Sequence, residues 1–393
     1  MQPGCRFRRP CRVGLRLLLN CTPGKLEWMS RSVVCSLVFL TLLLPLRAEQ
    51  PGAQQTEPGN PALHNRPATP PKTLVLREGK IKLDAVIRDA AGKPVTGLQP
   101  WEMKLLDNGR PVKILSFRSY DGILVKPNPQ VEVFLVLDMV NLPFQQVAFV
   151  EGELEQFLRE DGGRLAQPTT LITLTDTAVH VLSQPTLDGK ALAKIVAGIP
   201  GNVRTIDSAQ GYDGLLERAQ YSIQQMEAIA ENESQKPGRK LLVWLGWGWP
   251  ILDRHADSFS EKDQQRMFDT VVELSTRLRE ARMAVFSLNM ADSSPTYAEL
   301  YRSFLNPVRG PADVDLGNLA LKVLAVQSGG LILGPNNDLA GQIEQCYADA
   351  NAFYTLSFDP PAVARADDYH GLTLQVDEPG VVVRTITDYY NQP

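Results

Sequence analysis

Apolar residues recur along this chain with two distinct periods, and the period changes twice. Ile81, Leu83, Ala85 and Ile87 alternate with Lys82, Asp84, Val86 and Arg88, the period-two pattern of a strand with one buried face. A turn at Asp89-Ala90-Ala91-Gly92-Lys93-Pro94 follows. Met103 to Leu106 then runs into Asp107-Asn108-Gly109, a tight hairpin signal, and Ile114, Leu115 and Phe117 close the segment. From Gln130 the texture changes. Val131 to Leu137 reads as a continuous apolar strand ending in Asp138, as expected for a strand covered on both faces of a parallel sheet. A helix is predicted from about Phe149 to Arg159, stopping at Asp161-Gly162-Gly163, then a strand over Thr170 to Thr175 with a hairpin partner over Ala178 to Leu182. Leu215, Ala219, Ile223, Met226 and Ala230 share one helical face, and Lys240 to Leu245 is the next buried strand. Ser260 and Asp263 form an N-cap signal for a helix with the stripe Met267, Val271, Leu274 and Leu278. A strand over Ala284 to Leu288, a polar insert from Asp292 to Asp315, a helix ended by Ser328-Gly329-Gly330 and a strand over Leu331 to Leu333 complete the alternation. One more helix carries Leu339, Ile343, Cys346, Tyr347 and Ala350 on one face. Strands return at Tyr354 to Phe358, Leu372 to Val376 and Val381 to Ile386.

Strands separated by helices predict a doubly wound, mostly parallel α/β sheet over residues 129–350. The β segments 73–121 and 352–393 are each too short for a sandwich, so the expectation is one accessory β-sandwich-like module assembled from both flanks.

Charge separates the beginning of the chain from the rest. The net charge of −4 over 393 residues conceals eight Lys or Arg against one acid in residues 1–48, a net of +7, and 32 basic against 43 acidic residues afterwards, a net of −11. The apolar run Val33 to Leu46, preceded by Arg31 and followed by Arg47-Ala48, is too short to span a bilayer and has the form of a secretory signal peptide. Residues 1–48 are therefore expected to be a leader, with Met29 as the alternative start. Residues 49–72, with six prolines among polar residues, are expected to be a disordered linker. The mature chain is then exported, periplasmic or extracellular, with no stable membrane insertion after cleavage. Four of the five cysteines lie in the leader, so only Cys346 would remain, and core packing is its expected role. An acidic body argues against nucleic acid, whose phosphates need clustered Lys and Arg.

Chemistry-bearing motifs are sparse. Of the four histidines, His64 lies in the linker, His180 in a strand pattern, and His255 and His370 in polar turns. No nucleophile stands near a histidine in the pattern, and neither a phosphate loop nor zinc-ligand spacing is present. Asp138 and Asp176 end neighbouring strands, so a secreted hydrolase using this pair is the catalytic alternative.

The order of β segment, α/β core and β tail, with Gly92 to Leu98, Asp107-Asn108-Gly109, Leu135 to Asp138, Arg239 to Leu242, Ser328-Gly329-Gly330, Tyr354 to Pro361, Pro379-Gly380 and Tyr389-Tyr390, resembles the bacterial von Willebrand factor type A-related domain proteins of the acidobacterial type. The resemblance covers about residues 75–390 and implies the type A fold, usually a protein-binding, adhesion-type module holding a divalent cation at the C-terminal ends of its strands. It also implies ligands from Asp-x-Ser-x-Ser after the first strand, a later Thr, and an Asp after the fourth strand. Here the first motif reads Asp138-Met139-Val140-Asn141-Leu142, and Gly246-Trp247-Gly248 follows the fourth strand. Asp138, Asn141 and Thr205 are the metal candidates, too few oxygens for Mg²⁺ or Ca²⁺, which take about six or more. The expectation is thus a degenerate metal-ion-dependent adhesion site with no cofactor; a type A binder with a non-standard cation site is the alternative. Asp138, Asn141, Trp247, Trp249 and Pro250 are the candidate partner-binding residues, because tryptophan dominates many interfaces and ligands of open α/β sheets bind beyond the strand ends. The bland alternatives are that Asp138 caps backbone amides and that the tryptophans pack internally.

Overall fold

The computed structural model describes residues 74–75, 77–175, 178–182, 184–199, 211–249, 259–289, 299–363 and 365–391. The expected leader and linker, His64, Asp176, Thr205, Pro250 and His255 lie outside the described residues.

The first strands are β1 (Leu74–Val75), β2 (Ile81–Arg88), β3 (Met103–Asp107), β4 (Arg110–Val112) and β5 (Ser116–Tyr120). Asn108 and Gly109 both take positive φ, 46° and 76°, which closes the two-residue hairpin between β3 and β4 with Asp107 opposite Arg110. The alternation of β2 buries Ile81, Leu83, Ala85 and Ile87, as the pattern requires. Val86 is also buried, although it falls in the polar phase, because the other face of β2 meets the α/β core.

The α/β part runs β6 (Glu132–Asp138), α1 (Phe144–Arg159), β7 (Arg164–Leu174), β8 (Val179–Val181), β9 (Thr186–Asp188), α2 (Gly189–Val196), α3 (Gly211–Ser234), β10 (Lys240–Gly246), α4 (Glu261–Glu280), β11 (Met283–Asn289), α5 (Leu321–Gln327), β12 (Ile332–Leu333) and α6 (Leu339–Ala348). The sheet order is β12-β11-β10-β6-β7-β8; its central pairs are parallel, while β8 and β9 pair with β7 antiparallel. Phe134 and Val136 of β6 point into one apolar cluster with α3, α4 and α5, and Val133, Leu135 and Leu137 into another with α1, α2 and α6. Burial on both faces is why the strand reads as an unbroken apolar run. Ser260 caps α4 by accepting from the Asp263 amide at 3.2 Å.

The remaining strands are β13 (Phe353–Phe358), β14 (Asp368–Val376), β15 (Val382–Arg384) and β16 (Asp388–Asn391). β13 lies between β5 and β2, giving the antiparallel order β1-β5-β13-β2-β15, while β16-β14-β3-β4 forms a second antiparallel sheet. Both sheets contribute to one apolar cluster containing Ile81, Leu83, Leu105, Phe117, Leu356, Leu374 and Tyr389.

Three local expectations are corrected. α1 begins at Phe144, five residues early, since Pro143 occupies the N-cap and supplies none of the polar side chains that signal a start. In the described part of the polar insert, Val308 and Val314 are buried, and the Tyr390 hydroxyl donates to the Val308 carbonyl at 3.0 Å. His370 is not in a polar turn: it is buried in β14, its Nδ1 2.6 Å from Asp107 Oδ1, while Tyr389 donates to Asp107 Oδ2 at 2.6 Å. Cys346 is buried in α6, and burial, with the neighbouring Asp349 charge, pushes its thiol well above the ordinary range. Among the described residues no helix is long and apolar enough to cross a membrane.

Candidate functional site

Chain order reverses direction across the sheet between β6 and β10. The chain moves outward from β6 through β7 to β8, then returns to the other side and continues through β10, β11 and β12. Loops leaving neighbouring strands on opposite sides of such a point diverge and open a crevice at the carboxyl ends. Asp138 ends β6 at this point, one residue beyond the Leu137–Leu245 pair that sets β6 against β10.

The Asp138 carboxylate is fully buried and accepts four hydrogen bonds. Oδ1 takes the Asn141 amide at 3.1 Å; Oδ2 takes Asn141 Nδ2 at 2.9 Å, Trp244 Nε1 at 3.0 Å and Ser222 Oγ at 3.2 Å. Asn141 Nδ2 also lies 3.0 Å from Ser222 Oγ, which links the donors to one another. The carboxyl is pushed above the usual carboxylate range by burial, against the opposing pull of the bonds from Asn141, Trp244 and Ser222. Gly246 makes this packing possible: a Cβ there would lie 3.2 Å from Asp138 Cβ.

The two hydroxyl positions implied by the resemblance point elsewhere. Val140 packs into the apolar cluster beside α3, and Leu142 into the cluster beside α1. A hard cation needs oxygen lone pairs converging on one point. Here N–H and O–H groups converge on the lone pairs of Asp138, so the described residues do not fit such an ion. Among the described residues, no group of three or more His, Cys, Asp or Glu is arranged to hold a metal. Asp138 likewise has no titratable partner among its hydrogen-bond donors with which to share acid and base roles.

The loop after β10 sends its two tryptophans in opposite directions. Gly248, at φ 64°, takes a left-handed conformation that lets the chain reverse between them. Trp247 is 39% exposed and its indole donates to Gln146 Oε1 of α1 at 2.7 Å, so it lies across the crest with one edge fixed. Trp249 is 2% exposed, packs edge-on to Trp244 with centroids 5.4 Å apart, and donates to the Leu319 carbonyl at 2.6 Å. Its placement as a partner-binding residue is therefore corrected: its surface is already covered by the core. Asp138 is likewise too buried to touch a partner, whereas Asn141 is only partly buried.

Two participants escaped the sequence reading. Ser222 sits one residue before Ile223 on the buried stripe of α3, and a lone hydroxyl on an apolar stripe is the signal that could have found it. Gln146 lay in a segment not expected to be helical, so its proximity to the crest had no signal.

No protein-family model and no curated protein matches this sequence. Among solved structures, the chain is similar to the human COPII-coat protein Sec24c at 10% identity and a TM-score of 0.29, over 67% of this chain; it spans 43% of the length of that one. It is similar to the SpRpn10 VWA domain at 16% identity and a TM-score of 0.24, over 55% of this chain and 93% of the other. Likenesses this weak leave the fold resting on the sheet order and its helix layers.

Proposed function

We propose that this is an exported, non-catalytic, protein-binding module of the von Willebrand factor type A kind, in which a hydrogen-bonded aspartate has replaced the metal-ion-dependent adhesion site. The segments 73–121 and 352–393 serve as its accessory β sandwich. The partner, a protein, docks on the crest around Trp247 and Asn141. The observation that carries this reading is the use of the Asp138 lone pairs: they are spent on Trp244, Asn141 and Ser222, while Trp247 presents the open aromatic surface beside them. An exposed tryptophan with its ring fixed by a hydrogen bond loses little entropy on binding, which suits an interface anchor. The leader pattern at Val33 to Leu46 supports export, and the acidic body supports a partner other than nucleic acid.

Affinity capture from the envelope fraction of the source, in chelator throughout, tests the proposal. A protein retained by the wild type and lost with Trp247→Ala, at a cost of about 2 kcal/mol or more in affinity, supports it. Binding that requires added Mg²⁺ or Ca²⁺, or that is indifferent to Trp247→Ala, overturns it. N-terminal sequencing of the exported protein is expected to find cleavage near Glu49 or Gln54.

A further inference from the structure

Where the α/β core meets the antiparallel sheets, cationic side chains outnumber the carboxylates that reach them. Arg88 and Arg384 both bind Asp349, one to each oxygen at 2.6 Å, and Arg282 binds Asp84 through Nε and Nη2 at 3.1 and 2.5 Å. Arg239 shares neither carboxylate by hydrogen bond. It is buried, donates one Nη1–H to the Asp349 carbonyl at 2.5 Å, and lies 4.6 Å above the Phe353 ring. Its Nε–H is buried without an acceptor, and so is the Nε–H of Arg279 on α4. Burial lowers the Arg239 pKa despite the pull of Asp84 and Asp349.

A cavity of about 20 Å³ lies among these groups, lined by Lys82, Asp84, Arg239, Arg279, Arg282 and Ser328 among others. About 10–15 Å³ of such space is enough for one small species. Asp84 offsets Arg282, Glu280 lies 3.5 Å from Arg279 and Glu78 3.5 Å from Lys82, so the surplus charge rests on Arg239 and on the two arginines that share Asp349. A water would accept one or two of the stray N–H groups, but it would leave that surplus uncompensated at a junction where an unbalanced charge is costly. We propose that this cavity binds a single monatomic anion of the chloride class, held by the Nε–H groups of Arg239 and Arg279 and attracted by the surplus charge of Arg239. The anion ties β2, from the N-terminal flank, to Arg239 just ahead of β10 and to α4 of the core.

Two measurements on the full chain test this, and both must succeed. In crystals soaked in bromide, an anomalous peak is expected in the cavity between Arg239 and Arg279. In solution, the melting temperature is expected to be higher in sodium chloride or bromide than in sodium gluconate of equal ionic strength, by about 2 °C or more. Gluconate is too large to enter, so the comparison removes general salt effects. The difference should vanish in Arg279→Gln, chosen because Arg239→Gln risks misfolding. Ordinary water density with no bromide peak, equal melting in the two salts, or a chloride effect unchanged in Arg279→Gln would each overturn the proposal.

Discussion

Two aspartates, one ending a strand of the parallel sheet and one in the antiparallel strand β2 that packs against the core, show how partner charge, more than burial, decides what a carboxylate does. Asp138 at the crest receives only neutral donors, and burial drives its carboxyl up. Asp84 at the junction has its side chain only 9% exposed, and burial would raise it too, but the Arg282 and Arg239 charges overrule that and hold it below the usual range. The crest is therefore held by dipoles and apolar packing, and the junction by ionic pairs. A site of the first kind can be altered with modest loss, whereas removing one member of a buried ionic pair strands a charge.

The sharpest way to break the crest half of this contrast is to empty its core. Trp249→Ala is expected to cost about 3–5 kcal/mol in urea unfolding, the usual loss at a large buried aromatic site, while Trp247→Ala costs about 1 kcal/mol, as for one partly exposed hydrogen bond. Equal losses would show that the loop does not divide its tryptophans as described.

Next in size is the ranking of the aspartates themselves. Asp84→Ala should cost about 3 kcal/mol, the lower end for a broken buried pair, because Arg282 keeps 21% of its side-chain surface and some hydration. Asp138→Ala should cost about 1–2 kcal/mol, since Asn141 and Ser222 can still bond to each other. The reverse ranking, read from the same denaturation curves, would end the comparison.

Smaller and of opposite sign are the pH effects. Asp84 is held low in the folded state, so its contribution is complete above the usual carboxylate range and disappears as pH falls through its depressed folded value. Asp84→Asn should therefore gain on the wild type in acid. Asp138 is raised, so stability is lost as pH climbs from the usual 3.8 to the folded value, and Asp138→Asn should gain on the wild type in that direction. Asp388, pushed up to about 6 by burial, adds a loss of the same sign between 3.8 and about 6 that Asp388→Asn removes. Stability against pH for the three variants checks the signs.

The smallest expected effect is that of divalent cations. Millimolar Mg²⁺ or Ca²⁺ should leave the melting temperature unchanged, because the donors on Asp138 compete with any ion for the same lone pairs. An upward shift abolished by Asp138→Ala would mean that the crest reorganises around a cation.

Local chemistry was legible wherever one segment decided its own conformation. The Asn108-Gly109 hairpin, the Ser260 cap and the two-sided burial of β6 follow from rules that act within a few residues. The apolar composition after β10 pointed to the crest, but could not say which tryptophan turns inward; Gly248 and the Leu319 carbonyl decide that. His370 was misread for a related reason. Its neighbours in sequence are polar, while its neighbours in space are Asp107 and Tyr389.

By itself the sequence determined the alternation of strands and helices, the position of Asp138 at a strand end and the apolar Val140 and Leu142 beside it, since periodicity and residue type are carried by the chain alone. Only the tertiary structure decided what became of the polar groups. Trp244 reaches Asp138 from 106 residues away, and Asp84 meets Arg282 across 198. A buried charge or donor takes whichever partner the packed chain brings within about 3 Å, and sequence spacing carries no record of that distance.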